Sequence, residues 1–104
     1  MANVYLIEQE IFNSEMVEYE EALFNNTDYS CDMVKALSSK AKANEVLDKR
    51  VARREVMGYD LLFDIEHKKG KSLRTVILRD NEEDFKKYGY YTFRVLNIIQ
   101  MEIE

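Results

Sequence analysis

The chain has 104 residues, of which 46% are hydrophobic and 34% charged, and a formal net charge of −5. That length bounds it to one domain with a modest core, and the composition belongs to a globular chain rather than a disordered one. No apolar run reaches the length of a membrane span, the start MANVYLIEQE lacks the basic opening of a signal peptide, and the lone Cys31 excludes an internal disulfide or thiolate metal cluster. A reducing, cytoplasmic setting is the expectation that follows.

Val4–Phe12, VYLIEQEIF, opens with β-branched and aromatic residues and is expected to be a strand. Asn13-Ser14 is a turn. Glu15–Phe24, EMVEYEEALF, supports two readings. Val17, Tyr19 and Leu23 suit an alternating strand that would form a hairpin with the first, whereas Ser14 before a Glu-rich run suits a short helix. The strand is the expectation, with the helix as its alternative. Asn25-Asn26-Thr27-Asp28 is a turn. Tyr29–Leu37 is expected to be a strand on the alternation of Cys31, Met33 and Leu37, the other reading being a backward extension of the helix that follows.

Ser38–Gly58, SSKAKANEVLDKRVARREVMG, has a start signal, a period and a stop signal. Ser38 and Ser39 can cap free N–H groups. Ala43, Val46, Leu47, Val51 and Met57 recur at helical spacing, and Glu45 precedes Lys49 in the favourable ion-pair order. Arg53 and Arg54 suit the last turn, and Gly58 can supply the left-handed residue that ends many helices. Lys40 and Lys42 sit in the first turn against the helix dipole, a penalty of only about 0.3–1 kcal/mol.

The segment Met33–Val46, MVKALSSKAKANEV, resembles a pattern in small uncharacterised proteins of bacteria and their phages, where a strand runs into Ser-Ser-Lys/Glu-x-Lys-Ala at a helix start. Leu37, Ser38, Ser39, Lys40, Lys42 and Ala43 match it. Ala41 stands where an acid is usual and Asn44 where Glu is usual. The resemblance implies a strand before Ser38 and a helix after it, and it carries no activity.

Tyr59–Glu66, YDLLFDIE, alternates Tyr59, Leu61, Phe63 and Ile65. The turn 67–72, HKKGKS, and the return strand Leu73–Arg79 complete a hairpin. Asp80–Tyr88 can hold one short helical turn. The last strand, Tyr90–Ile103, puts Tyr91, Phe93, Val95, Ile99, Met101 and Ile103 on one face and polar residues such as Thr92 and Arg94 on the other. One buried and one wet face is the pattern of an antiparallel sheet covered on one side. The expected architecture is a single α+β domain, residues 1–104: an antiparallel sheet with one main helix packed on its apolar face.

Charge is unevenly laid out. Residues 1–34 carry Glu8, Glu10, Glu15, Glu18, Glu20, Glu21, Asp28 and Asp32 and no Lys or Arg; residues 35–54 are rich in Lys and Arg. The simplest expectation is that the acidic segment lies against the basic helix. The alternative is two surfaces of opposite sign that steer a partner or stack copies.

The motifs for chemistry are sparse. Lys69-Gly70-Lys71-Ser72 lacks the first glycine and the following helix of a phosphate loop. His67 sits on a basic turn with no nucleophile system around it, and Cys31 reads as a small, partly buried side chain. Asp80, Glu82, Glu83 and Asp84 fail the calcium-loop pattern, because Phe85 stands where its glycine is needed. No catalytic residue, metal or cofactor is therefore assigned. Phe85, Tyr88 and Tyr90 cluster around Gly89 and are candidate protein-binding residues, since aromatic side chains anchor interfaces. Lys42, Lys49, Arg53, Lys68, Lys69 and Lys71 are candidate anion-binding residues. The expected function is non-enzymatic binding to another protein; the phage-like resemblance makes an inhibitor of a host defence protein one version of it. The alternative is a nucleic-acid-binding accessory protein that uses the basic turn and helix. Self-association stays open.

Overall fold

A computed structural model describes residues 2–103. In chain order it contains β1 Ala2–Ser14, α1 Tyr19–Ala22, β2 Thr27–Leu37, α2 Lys40–Val56, β3 Asp60–Glu66, β4 Ser72–Arg79, α3 Glu82–Tyr88 and β5 Tyr91–Ile103. The strands form one antiparallel sheet in the order β2-β1-β5-β4-β3. The class is α+β, with α2 the longest helix and the short α1 and α3 on the other face of the sheet. The long central pair β1–β5 stays in register from Ala2 opposite Ile103 to Ser14 opposite Tyr91, while β2 and β3 form the two edges. A connection between opposite edges must cross the sheet, and α2 makes that crossing.

The local signals around α2 act as their chemistry dictates. Ser39 is the N-cap, its hydroxyl accepting from the Lys42 N–H at 3.2 Å. Gly58 follows the last turn with φ +98°, and Glu45 pairs with Lys49 at 3.2 Å. Ala43, Leu47 and Val51 bury one stripe of the helix on Ile7, Val76, Leu78, Leu96 and Ile98 of the sheet, each large side chain contributing about 1.5–3 kcal/mol. Met57 is outside this stripe: it is the exposed C-cap. Arg74 of β4 fastens the helix to the sheet. Its guanidinium donates to Asp64 of β3 at 2.8 and 2.9 Å and to Asn44 of α2 at 3.0 Å, and it pairs with Asp48 of α2 at 2.8 Å.

The face that α2 covers differs from the expected one. It is the face of Leu96 and Ile98, whereas Tyr91, Phe93 and Val95 look the other way. The central strands are apolar on both sides, so alternation along β5 could not tell which side receives the helix. On the second face Phe12, Phe93, Val95, Ile77 and Tyr91 form their own cluster, closed by Ala22 and Tyr19 of α1 and by Phe85 of α3. Phe12 stacks on Phe93 at 5.3 Å between ring centroids, with Tyr19 against both rings.

Glu15–Phe24 is a further correction: it holds the helix α1, not a strand. The hydrogen-bonding edges of β1 are already taken by β2 and β5, so a hairpin partner at this point would have no edge to join. A single helical turn instead directs Tyr19 and Ala22, three apart, onto the second cluster and leaves Glu20 and Glu21 in its first turn, where the dipole favours acids. Tyr29–Leu37 belongs to a strand, and the stretch from Asp80 to Tyr88 holds α3.

The sheet also separates the charges. Glu8 and Glu10 share rows with Asn97 and Val95, on the face away from α2. Among the described residues no ion pair joins the acidic N-terminal third to α2, so the expected neutralisation of that segment by the basic helix is not seen. Cys31 lies exposed on the edge strand β2 rather than partly buried. The slight desolvation by neighbouring side chains, then the charges of Glu8 and Glu10, push its thiol upward, away from thiolate reactivity.

Candidate protein-binding groove

The end of β1 holds two loops together. Asn13 is opposite both Thr27 of β2 and Thr92 of β5. Its amide donates to Asp28 at 3.1 Å and accepts from the Thr92 hydroxyl at 2.9 Å. The α1–β2 loop is therefore fixed beside the α3–β5 loop, although Phe24 and Tyr88 are far apart in sequence.

Each loop is braced by local hydrogen bonds. Asn26 folds back, its amide donating to the carbonyls of Ala22 at 3.2 Å and Leu23 at 2.8 Å, which satisfies the free end of α1. Phe24 is left pointing into solvent, 88% exposed. On the other side Asn81 caps α3 by accepting from the Asp84 N–H at 3.1 Å, and Gly89 ends the helix at φ +81°. That left-handed turn lets Tyr88 and Tyr90 stack on each other at 6.0 Å, with the Lys87 ammonium 5.2 Å from the Tyr88 ring centroid.

Between these loops lies a concavity of about 670 Å³, lined on one side by Phe24, Asn25 and Asn26, on the other by Tyr88, Gly89 and Tyr90, with Asn13 to Met16 as its floor. Its chemistry is mainly aromatic and amide, with the Glu15 carboxylate as its one charged group. It offers flat apolar area and hydrogen-bonding edges, the Ser14 and Thr27 hydroxyls among them.

The candidate residues thus divide. Tyr88 and Tyr90 line the groove. Phe85 turns inward and stacks on Tyr91 at 4.6 Å, beneath an Arg79 guanidinium 4.9 Å from the Tyr91 ring centroid; it supports the groove from within and does not form its surface. Phe24 is the residue that sequence reasoning missed. Its one signal was a bulky aromatic immediately before a turn of polar residues.

Of the candidate anion-binding residues only Lys49 and Arg53 are brought together. Lys42 lies in the first turn of α2, at the β2 edge. Arg53 lies in the last turn, eleven residues on and hence about 16 Å away along the axis. Lys49 and Arg53 share a shallow trough of about 250 Å³ with Lys35, Val46 and Arg50. Lys68, Lys69 and Lys71 occupy the β3–β4 turn, at the opposite edge of the sheet from β2 and the opposite end from the aromatic groove. Gln100 of β5 donates its N–H to the Lys71 carbonyl at 2.8 Å, which puts that turn about 30 Å along β5 from Tyr91.

Among the described residues no three His, Cys, Asp or Glu side chains converge as a metal site would require, and no helix is long and apolar enough to cross a membrane. Comparison with protein-family models, curated sequences and solved structures gave no match.

Proposed function

We propose that this chain is a non-enzymatic binding protein whose target is another protein, engaged through the groove of Phe24, Tyr88 and Tyr90. One observation carries this reading: three exposed or half-exposed aromatic rings from two distant loops line one concavity, and both loops are braced by hydrogen bonds before any partner arrives. Preorganised aromatic anchors lose little conformational entropy on binding and concentrate interface energy. An apolar side chain of the partner would enter the groove, with its flanking backbone meeting the Asn25 amide and the amide oxygen of Asn26, whose side-chain N–H groups are already engaged. That the target is a host defence protein and this chain a phage-encoded inhibitor rests on the resemblance at Leu37–Ala43 alone.

Affinity capture from bacterial lysate, followed by titration of the captured protein, tests the proposal. Phe24→Ala, Tyr88→Ala and Tyr90→Ala are each expected to leave the thermal midpoint nearly unchanged, and one or more should weaken binding by about 2 kcal/mol or more. Neutralising Lys68, Lys69 and Lys71 together should alter mainly the association rate. Titration of labelled RNA and DNA at two salt concentrations supplies the opposing outcome. Micromolar binding at physiological salt, abolished by the lysine changes and indifferent to the aromatic ones, would replace this reading with nucleic-acid binding.

A further inference from the structure

The second face of the sheet is only half covered. α1 and α3 close the end around Phe12, Phe93 and Tyr91; the other half carries no layer from the described residues. Cross-strand partners share a face, so the register gives the rows of that open half. One row runs Met33, Glu8, Asn97, Thr75, Ile65 from edge to edge. The next contains Leu6 and Ile99, and the one beyond it Val4 and Met101. Met33 is 62% exposed, and Ile65 and Met101 45% each. A soluble chain seldom leaves such a surface bare without a partner for it.

The polar side chains that interrupt this apolar field are ordered, and they are acidic or neutral. The Thr75 hydroxyl donates to Asn97 Oδ1 at 2.6 Å, so at 2.7 Å it accepts from His67 Nε2. Tyr29 donates its hydroxyl to Glu10 at 2.6 Å. Glu8 and Glu10 are half-buried and have no ion-pair partner among the described residues. Glu20 and Glu21 of α1 add negative charge at the covered margin. Arg79 lies on this face at its covered end, over Tyr91, where it is already engaged by the Val17 carbonyl and Asp60; the lysines of the β3–β4 turn follow the ends of those strands.

This charge pattern selects the occupant. A second copy docking the same face would be related by a two-fold axis and would bring its own Glu8 and Glu10 into an apolar interface without a counter-charge, which costs several kcal/mol. Nucleic acid and anionic lipid meet the same repulsion. The Glu8 row crosses five strands about 4.8 Å apart, the Leu6 row four and the Val4 row only the two central ones, a tapering field about 20 Å wide and about 13 Å deep, which fits one helix about 10 Å wide and about three turns long lying along the Glu8 row. The opposite face already seats a helix of this kind in α2.

We propose that the open half of this face is a docking site for an amphipathic helix of another protein, one that carries Lys or Arg among its apolar residues to pair with Glu8 and Glu10. The site is separate from the aromatic groove.

A displayed library of helical peptides, with apolar residues fixed at every third and fourth position and the remaining positions random, is the probe. Selection on the intact protein is expected to enrich cationic sequences. A selected peptide should shift the backbone amide resonances of Leu6, Glu8, Asn97 and Ile99, and its affinity should fall at least tenfold in Glu8→Gln/Glu10→Gln and in Ile65→Lys. Ile65 is on an exposed edge, so that variant reports on the face even if the paired change disturbs folding. Tyr88→Ala, which is in the groove, should bind the peptide like the parent chain, so failure of either site is read separately. Enrichment of neutral or acidic peptides, no enrichment, shifts confined to the groove, or a dimer in sedimentation that Ile65→Lys dissociates would each overturn the proposal.

Discussion

Gly58→Ala tests how the longest helix is joined to the rest of the fold. Gly58 has φ +98°, and a Cβ placed there would lie 2.7 Å from Asn81 Nδ2. The left-handed backbone alone costs a residue with a side chain about 1–2 kcal/mol. Asn81 cannot move aside freely, because its amide donates to the Gly58 carbonyl at 3.1 Å while its oxygen caps α3 through the Asp84 N–H. Losing an N-cap costs about 0.5–2 kcal/mol, so the combined loss is about 2–3 kcal/mol. With an unfolding entropy of about 2.1 cal/mol/K per residue, the thermal midpoint should fall by about 10 °C. Urea denaturation followed by circular dichroism measures the free energy directly. The mechanism makes a second demand on the double variant. In Asn81→Ala the obstruction and the cap are already gone, so adding Gly58→Ala should cost only the backbone strain, and the two changes should be less than additive by about 1 kcal/mol. Additivity within about 0.5 kcal/mol, or an unchanged midpoint for Gly58→Ala, would refute the reasoning.

Arg74→Met keeps the buried stem but releases Asp48, Asp64 and Asn44 from their shared partner; a loss of about 1–2 kcal/mol by urea denaturation is expected, modest because the two carboxylates regain water. The same clamp sets an acid dependence. The hydrogen bonds from Arg74 hold the Asp64 carboxyl below its usual value, so its contribution is present above the ordinary carboxylate range and vanishes as the pH falls through the depressed value. Comparing parent and Arg74→Met from about pH 7 to about pH 2 should show this acid-dependent share of stability in the parent and not in the variant. Asp80 behaves in the opposite sense. Burial pushes its carboxyl upward even though Oδ1 accepts from the Thr92 N–H at 2.8 Å, so stability falls as the pH rises from the ordinary carboxylate value through the raised one. Asp80→Asn, which keeps an acceptor, should be neutral or stabilising at about pH 7, whereas Asp80→Ala leaves that N–H without its acceptor and should cost about 1–3 kcal/mol by the same assay.

What the sequence determined by itself was set by neighbours along the chain. Ser39 stands immediately before the residues it caps, Gly58 immediately after the turn it ends, and the β3–β4 hairpin joins strands separated by a short polar turn. Each rests on geometry that a few adjacent residues fix. Tyr88 and Tyr90 could be picked out in the same way, because both flank Gly89. Tertiary structure alone decided the rest. Only the pairing of both central strands with neighbours on either side denied Glu15–Phe24 an edge and left it as α1. Only packing showed that β5 turns Leu96 and Ile98, not Tyr91 and Phe93, toward α2, because a strand that is apolar on both faces does not record which layer will cover which. The candidate site follows the same rule. Phe24 reaches Tyr88 and Tyr90 through the pairing of Asn13 with strands on both sides, a long-range contact that leaves no periodic trace in the sequence.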